Sequence, residues 1–292
     1  MIADLLPGES KTIHHSVERT VCLLCGAKEH EAIFRTGFPV VRCQRCGLHF
    51  TNPRPTFDSM AAFYPQDYRP HLGKANHHRP LRSWYPLDWL KPSRSHSRLL
   101  DFGCGAGHFL AAMDRNGWEV AGLDVSQATV DSIRSGLGLT AFAGTLPHDE
   151  LEAGSFNCIT MWHSLEHVHD PVAVLRETRR LLTPDGRLIV AVPNFAGWSR
   201  RHFGANWFGL DLPRHLTHFE PTTLAAMLDK AGFRVRDMRF ARHADWIRSS
   251  AQRAGTSWKN RLMSKRWAAA LMARFWVGAN DGDAMLACAS PA

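Results

Sequence analysis

Leu99-Leu100-Asp101-Phe102-Gly103-Cys104-Gly105-Ala106-Gly107 reads as a short apolar strand running into a glycine-rich turn, and a helix is predicted over 108–116. Glycine at every second position lets the backbone turn sharply and lets a ligand come close. A nucleotide-like ligand at the end of the first strand of an α/β sheet needs that geometry. The dinucleotide pattern G-x-G-x-x-G would put its third glycine at position 108, where His108 stands. The pattern present is Asp-x-Gly-x-Gly-x-Gly. A carboxylate at the lip of the turn repels a pyrophosphate and suits a cationic ligand.

A second acid is expected about 20 residues on, where the next strand ends and ribose hydroxyls lie. Trp118-Glu119-Val120-Ala121-Gly122-Leu123-Asp124 supplies it. Asp124 can accept two hydroxyls through its two oxygens, and Ser126 caps the next helix. Further on, Phe156-Asn157-Cys158-Ile159-Thr160-Met161-Trp162 reads as another strand, with His163-Ser164-Leu165-Glu166-His167-Val168-His169-Asp170-Pro171 after it.

Turn, acid and loop, in this order, resemble the class I S-adenosylmethionine-dependent methyltransferases over 98–289. The resemblance implies a doubly wound, seven-stranded, mostly parallel Rossmann-like α/β sheet. It implies that Gly103, Gly105 and Gly107 let the backbone approach S-adenosylmethionine, that Asp101 faces its ammonium and sulfonium, and that Asp124 and Val125 lie at the ribose. Gly144 and Thr145 fall on the adenine side, without the acid usual there. Trp162 and His163 end the fourth strand beside the donor. In that loop His167, with Glu166 orienting its ring, is the expected general base, and His163 is its rival.

The rest of the domain alternates as a parallel sheet requires. Strands are expected at 98–102, 119–123, 139–143, 156–162, 187–192, 233–240 and 283–289, the last antiparallel. Asp170-Pro171 opens a helix, acid cap then proline. Thr183-Pro184-Asp185-Gly186 reads as the turn ending it, and another helix spans 222–230. Two stretches are long for connections. In the family the position of 193–219 lies over the donor and contacts the acceptor, so Asn194, Trp207, His215 and His218 are expected substrate residues. The segment 241–282 reads as cationic amphipathic helix. It packs its apolar face on its own domain or lies on a membrane surface.

Ahead of the domain, Cys22-Leu-Leu-Cys25-Gly26 and Cys43-Gln-Arg-Cys46-Gly47 form two C-x-x-C-G knuckles separated by the 17 residues 26–42. Each pair wraps one side of a tetrahedral ion, so four thiolates close a structural zinc site. Short strands are expected at 32–35 and 40–42, and a short helix at 58–64. The domain reading is leader 1–19, zinc ribbon 20–55, linker and lid helices 56–97, methyltransferase domain 98–292. One helix is expected around 84–90. Tyr64, Tyr68, Trp84, Tyr85 and Trp89 either line a substrate lid or pack ribbon against domain.

The 292 residues carry a net charge of +8, with 45% hydrophobic and 21% charged residues, an ordinary globular balance. No apolar run reaches the length of a membrane helix, and the first residues lack a signal-peptide pattern. A cytoplasmic protein is expected, its seven cysteines serving as thiols or metal ligands. Positive charge favours anionic partners without choosing among them. The expected function is methyl transfer to a small molecule or glycan. The layout is similar to sugar C-methyltransferases with a four-cysteine module, without their extra C-terminal domain. The alternatives are an RNA base methyltransferase, against which no Asn-Pro-Pro-Tyr-like motif follows the fourth strand, and a non-catalytic binding protein on the same scaffold. The oligomeric state is not legible.

Overall fold

Strand and helix alternate as the periodicity predicts, and the computed structural model describes them over residues 16–64, 85–92, 96–255 and 257–292. The N-terminal part carries β1 (Val17–Glu18), β2 (His30–Phe34), β3 (Val40–Cys43), β4 (His49–Thr51) and β5 (Arg54–Pro55). Then come β6 (Arg98–Phe102), α1 (His108–Arg115), β7 (Glu119–Asp124), α2 (Gln127–Leu137), β8 (Thr140–Ala143), β9 (Phe156–Trp162), α3 (Pro171–Leu181) and β10 (Leu182–Pro193). The C-terminal part holds α4 (Trp198–Phe203), β11 (Thr217–His218), α5 (Pro221–Lys230), β12 (Phe233–Ala241), α6 (Ala244–Arg253), α7 (Trp258–Met263), α8 (Arg266–Phe275) and β13 (Ala284–Pro291).

Seven strands form one sheet in the order β12-β13-β10-β9-β6-β7-β8. The chain leaves β6 to one side for β7 and β8 and returns to the other for β9, all parallel. Strand order therefore reverses between β6 and β9, and a ligand crevice opens there, beyond the carboxyl ends of the strands. β13 runs antiparallel to both β10 and β12, as expected. Helices on both faces leave Leu99, Leu100, Ile159, Met161, Ile189 and Val190 fully buried, which is why these strands read as continuous apolar runs.

Local signals set most element ends. Ser126 Oγ accepts from the Thr129 N–H at the start of α2, and Gly138 ends it in the left-handed region. Asp170 caps α3 through Ala173 N–H at 2.9 Å, with Pro171 at the first position. The turn expected at 183–186 is instead a bulge inside β10. Leu182 pairs with Phe156 and Arg187 with Cys158, so three extra residues loop out of a strand that has already begun. The helix expected at 58–64 is a 3-10 turn at Met60–Phe63. Around 84–90 the described residues form a turn, closed by Trp89 N–H to Pro86 O, rather than a helix. Tyr68, Trp84 and residues 1–15 of the leader lie outside the described residues.

The cysteine-bearing strands do not stand apart from the sheet domain. Their sheet runs β11-β4-β3-β2, and β11 comes from the 193–219 connection. Thr217 pairs with Phe50 and His218 with His49. Thr51 donates its hydroxyl to His215 O at 2.7 Å. Segment 242–283 holds three helices, with Ile247 and Ala251 of α6 packed on Ala269 and Ala273 of α8.

Candidate active site

Gly103, Gly105 and Gly107 all have positive φ, at 75°, 49° and 74°. A side chain at Gly103 would put its Cβ 2.7 Å from Ser164 Cβ. Only glycine therefore brings the turn after β6 against the loop after β9. Asp124 braces the turn from β7. Its Oδ2 accepts the Gly105 N–H at 2.9 Å and its Oδ1 accepts the Ser126 N–H at 3.0 Å. Each oxygen keeps a further lone pair for a hydroxyl. Val125, next to it, is 66% exposed. Gly144 donates its N–H to Asp124 O at 2.9 Å, so Gly144 and Thr145 continue the same edge. Trp162 ends β9 between Tyr85 and Phe109, with ring centroids 4.7 and 5.1 Å away.

Asp101 lies beneath this turn, buried. Burial raises its carboxyl to about 8, opposed by the Thr160 hydroxyl, which donates to it at 2.6 Å, and assisted by Asp124. Near neutral pH this group holds its proton unless a cation lies against it.

The loop after β9 gathers the histidines around Glu166. Its side chain is fully buried, and among the described residues neither carboxylate oxygen has a hydrogen-bond partner. His163 Nδ1 stands 3.5 Å from Oε1, and His215 Nε2 stands 3.9 Å from it. Burial opposes ionisation of Glu166, but His163, His215 and His167 outweigh it and hold the carboxyl below its ordinary value. His163 has φ of 53°, and this left-handed residue turns the ring toward Glu166, His243 and Trp246. Its side chain remains 25% exposed.

His167 is placed differently. Its Nδ1 lies 3.0 Å from Arg214 O and 3.1 Å from the Tyr64 hydroxyl. A carbonyl only accepts, so Nδ1 carries the proton. Burial, reinforced by His215, lowers the His167 pKa to about 4. His215 likewise donates Nδ1–H to Gly209 O at 2.9 Å, and its ring packs on His167 with centroids 4.7 Å apart. Glu166, His167 and His215 each offer a ligand atom, all within 4.8 Å of one another.

Three of the expected substrate residues lie elsewhere. Asn194 is buried and ties its connection to the sheet, donating to Gly282 O at 3.0 Å. Trp207 is buried against Phe195 and Trp246. His218 sits inside the β4–β11 pairing, its Nε2 3.1 Å from Thr51 Oγ1, and burial holds it neutral. Their residue types suited a site, but their positions serve packing.

The four cysteines converge. Cys22 and Cys46 sulfurs lie 3.4 Å apart, Cys25 and Cys43 sulfurs 3.5 Å, and all four are free thiols. Tetrahedral zinc at about 2.3 Å per sulfur separates sulfurs by about 3.8 Å, so a small expansion accommodates the ion. Gly26 and Gly47 close matching turns, donating to Cys22 O and Cys43 O.

A protein-family model for a methyltransferase domain matches residues 75–237. The chain is 32% identical over 179 residues to the ubiquinone biosynthesis O-methyltransferase of Xanthomonas axonopodis pv. citri, covering 57% of this chain and 74% of that one. It is 31% identical over 184 residues to the same-named protein of Xanthomonas campestris pv. campestris, covering 58% and 77%. Among solved structures, a chain of the complex between the Haloferax volcanii Trm112 methyltransferase activator and a methyltransferase aligns with TM-score 0.53 at 19% identity, over 70% of this chain and 88% of that one.

The chain belongs to this methyltransferase family. It is an S-adenosylmethionine-dependent methyltransferase, with the Rossmann-like sheet that the glycine turn predicts. The residue beside the histidines that sequence reading missed is Asp211, while Tyr64, read as a lid or packing aromatic, reaches the His167 ring. Asp211, at φ of 37°, holds Arg214 at 2.6 Å and lies 3.8 Å from His215. No local pattern marks Asp211; it meets His215 only through the folded connection. No described helix is long and apolar enough to cross a membrane.

Proposed function

We propose that this methyltransferase acts on a hydroxyl of a small-molecule or glycan acceptor, with His163 as general base and Glu166 behind it. The observation that carries this reading is the fully buried Glu166 carboxylate facing His163 at 3.5 Å. The relatives named O-methyltransferases favour a hydroxyl acceptor.

The crevice fits S-adenosylmethionine. The left-handed glycines leave backbone where a side chain would block, Asp124 offers lone pairs to the ribose, and exposed Val125 with Gly144 and Thr145 offers an edge for adenine. When bound, the donor supplies an activated methyl on a sulfonium. The protein then aligns the acceptor and removes its proton. Glu166 faces Nδ1 of His163 across 3.5 Å, and the ring receives the hydroxyl proton. The carboxylate stabilises the imidazolium that forms. His167, lowered to about 4, is too weak a base for that step near neutral pH. It serves instead to anchor the loop to Arg214 and Tyr64. The four cysteines hold a structural zinc in this reading, and the protein works in the cytoplasm or at a membrane surface.

Two measurements test the assignments. Asp124→Ala is expected to weaken S-adenosylhomocysteine binding by about 1.5–3 kcal/mol, the worth of hydrogen bonds to a charged group. Unchanged affinity by calorimetry rejects the ribose role. Incubation of labelled S-adenosylmethionine with fractionated extract is expected to label small molecules or glycans. Label confined to RNA would favour base methylation instead.

Asp101 adds a pH dependence. Its folded pKa is raised from 3.8 to about 8. Between those values the unfolded chain ionises it and the fold does not, so the ligand-free protein loses stability as pH rises. A cation against Asp101 restores the ionised form. The rise in melting temperature given by S-adenosylmethionine should therefore be larger near pH 8 than near pH 6, with Asp101→Asn removing the difference. An equal rise at both pH values rejects the contact.

A further inference from the structure

Helices α7 and α8 lie beyond the residues matched by the family model, and the reaction as proposed makes no use of them. Their composition is one-sided. From 246 to 280 the sequence holds no Asp or Glu, while Arg248, Arg253, Lys259, Arg261, Lys265, Arg266 and Arg274 lie within it. The flanking acids are engaged, Asp245 with Arg248 and Asp281 with Arg201. Among the described residues, Lys259, Arg261, Lys265, Arg266 and Arg274 enter no ion pair. Lys259 and Arg274 lie near the rings of Trp258 and Phe275.

α8 is apolar on two faces. Its inner face is small, with Ala268, Ala269 and Ala273 buried against α6 and its neighbours. Its large side chains point out. Trp267, Leu271 and Phe275 recur every four residues, one stripe along a helix, and are 61%, 49% and 69% exposed. On α7, Trp258 and Leu262 repeat the spacing, and Trp276 follows α8 with its ring exposed. A helix that only needed to cover its own domain would bury the tryptophans and expose the alanines. The outer stripe of α8, flanked by cations that enter no ion pair among the described residues, is an interaction surface.

We infer that α7 and α8 dock this methyltransferase onto an anionic lipid surface. Aromatic rings and leucines enter the headgroup boundary while Lys and Arg meet anionic headgroups, the pattern of an interfacial amphipathic helix. Nucleic acid fits less well, because single strands stack on successive flat rings along a groove. Here Leu262 and Leu271 interrupt the rings along the helix faces. The surface also leads to the active site: α6 packs on α8, and its Trp246 ring lies 5.4 Å from the His163 ring.

Co-sedimentation of the full chain with vesicles tests this, comparing phosphatidylcholine alone with an equimolar phosphatidylcholine and phosphatidylglycerol mixture. Binding is expected only to the anionic vesicles and should fall with salt. The Trp267→Ala, Leu271→Ala, Phe275→Ala triple variant should lose about 100-fold or more in binding. Lys259→Gln, Lys265→Gln, Arg266→Gln should lose on the order of 100-fold, about fivefold per charge. Both variants should keep wild-type S-adenosylhomocysteine affinity, which shows that the domain is folded and separates this result from any failure of the proposed chemistry. Absence of binding to anionic vesicles overturns the inference, as does binding unchanged in both variants. Two further outcomes also overturn it: RNA binding, or self-association, lost in the triple variant while wild-type vesicle binding is absent.

Discussion

His163→Ala is expected to bind S-adenosylhomocysteine as the wild type does and to lose about 10²–10⁴-fold in turnover, the usual contribution of a positioned base. The donor crevice as proposed is built by the glycine turn and Asp124, and the bonds that brace them do not involve the His163 side chain. The ring therefore leaves without disturbing it. Glu166→Gln should fall in the same range, because Glu166 stands 3.5 Å from His163 Nδ1 and supplies the negative charge facing the imidazolium. His167→Ala should behave otherwise. It removes the bonds to Arg214 O and Tyr64, so melting temperature, donor affinity and turnover should decline together. Measuring all three quantities on each variant decides the assignment. Full turnover in His163→Ala ends the base hypothesis, and a selective turnover loss in His167→Ala would move the role to that residue.

The choice between these histidines shows where sequence reading stops. Asp101, the glycines, Asp124 and the β9 loop were legible because each sits at a fixed place in a local strand-turn-helix pattern. Which histidine Glu166 faces was not. That depends on the left-handed backbone of His163, at φ of 53°, and a non-glycine residue gives no local sign of that conformation. The seven-strand alternation was equally legible, since each strand carries its own apolar run. β11 was not, being two residues long and defined by Phe50 and His49, which lie more than 160 positions away in the chain. Its partner residues explain why His218, polar and in a plausible connection, turns out to be a joint of the fold, while Asn194 is tied instead to Gly282 and Asp283.

That joint gives the largest expected effect. Removal of zinc from Cys22, Cys25, Cys43 and Cys46 should abolish the ordered 20–55 segment, because structural zinc contributes on the order of 10–16 kcal/mol to folding small sites. The loss should reach the acceptor side. Thr51 of β4 donates its N–H to Leu216 O, and Leu216 donates its own N–H to Glu166 O at 2.7 Å. Thr51 also holds His215 O through its hydroxyl at 2.7 Å. One backbone path thus runs from the cysteine strands to the main-chain carbonyl of Glu166, the residue behind the proposed base. The residues proposed to hold the donor follow β6, β7 and β8, which pair only within the large sheet. Chelated protein, or Cys43→Ser, should therefore keep S-adenosylhomocysteine affinity while losing turnover and gaining protease sensitivity over 20–55. Metal analysis of protein purified without added zinc should find about one ion per chain. Metal-free protein with a protease-resistant N-terminal segment would sink the zinc site. Full turnover after chelation, with that segment cleaved, would break the proposed tie between the cysteine strands and Glu166.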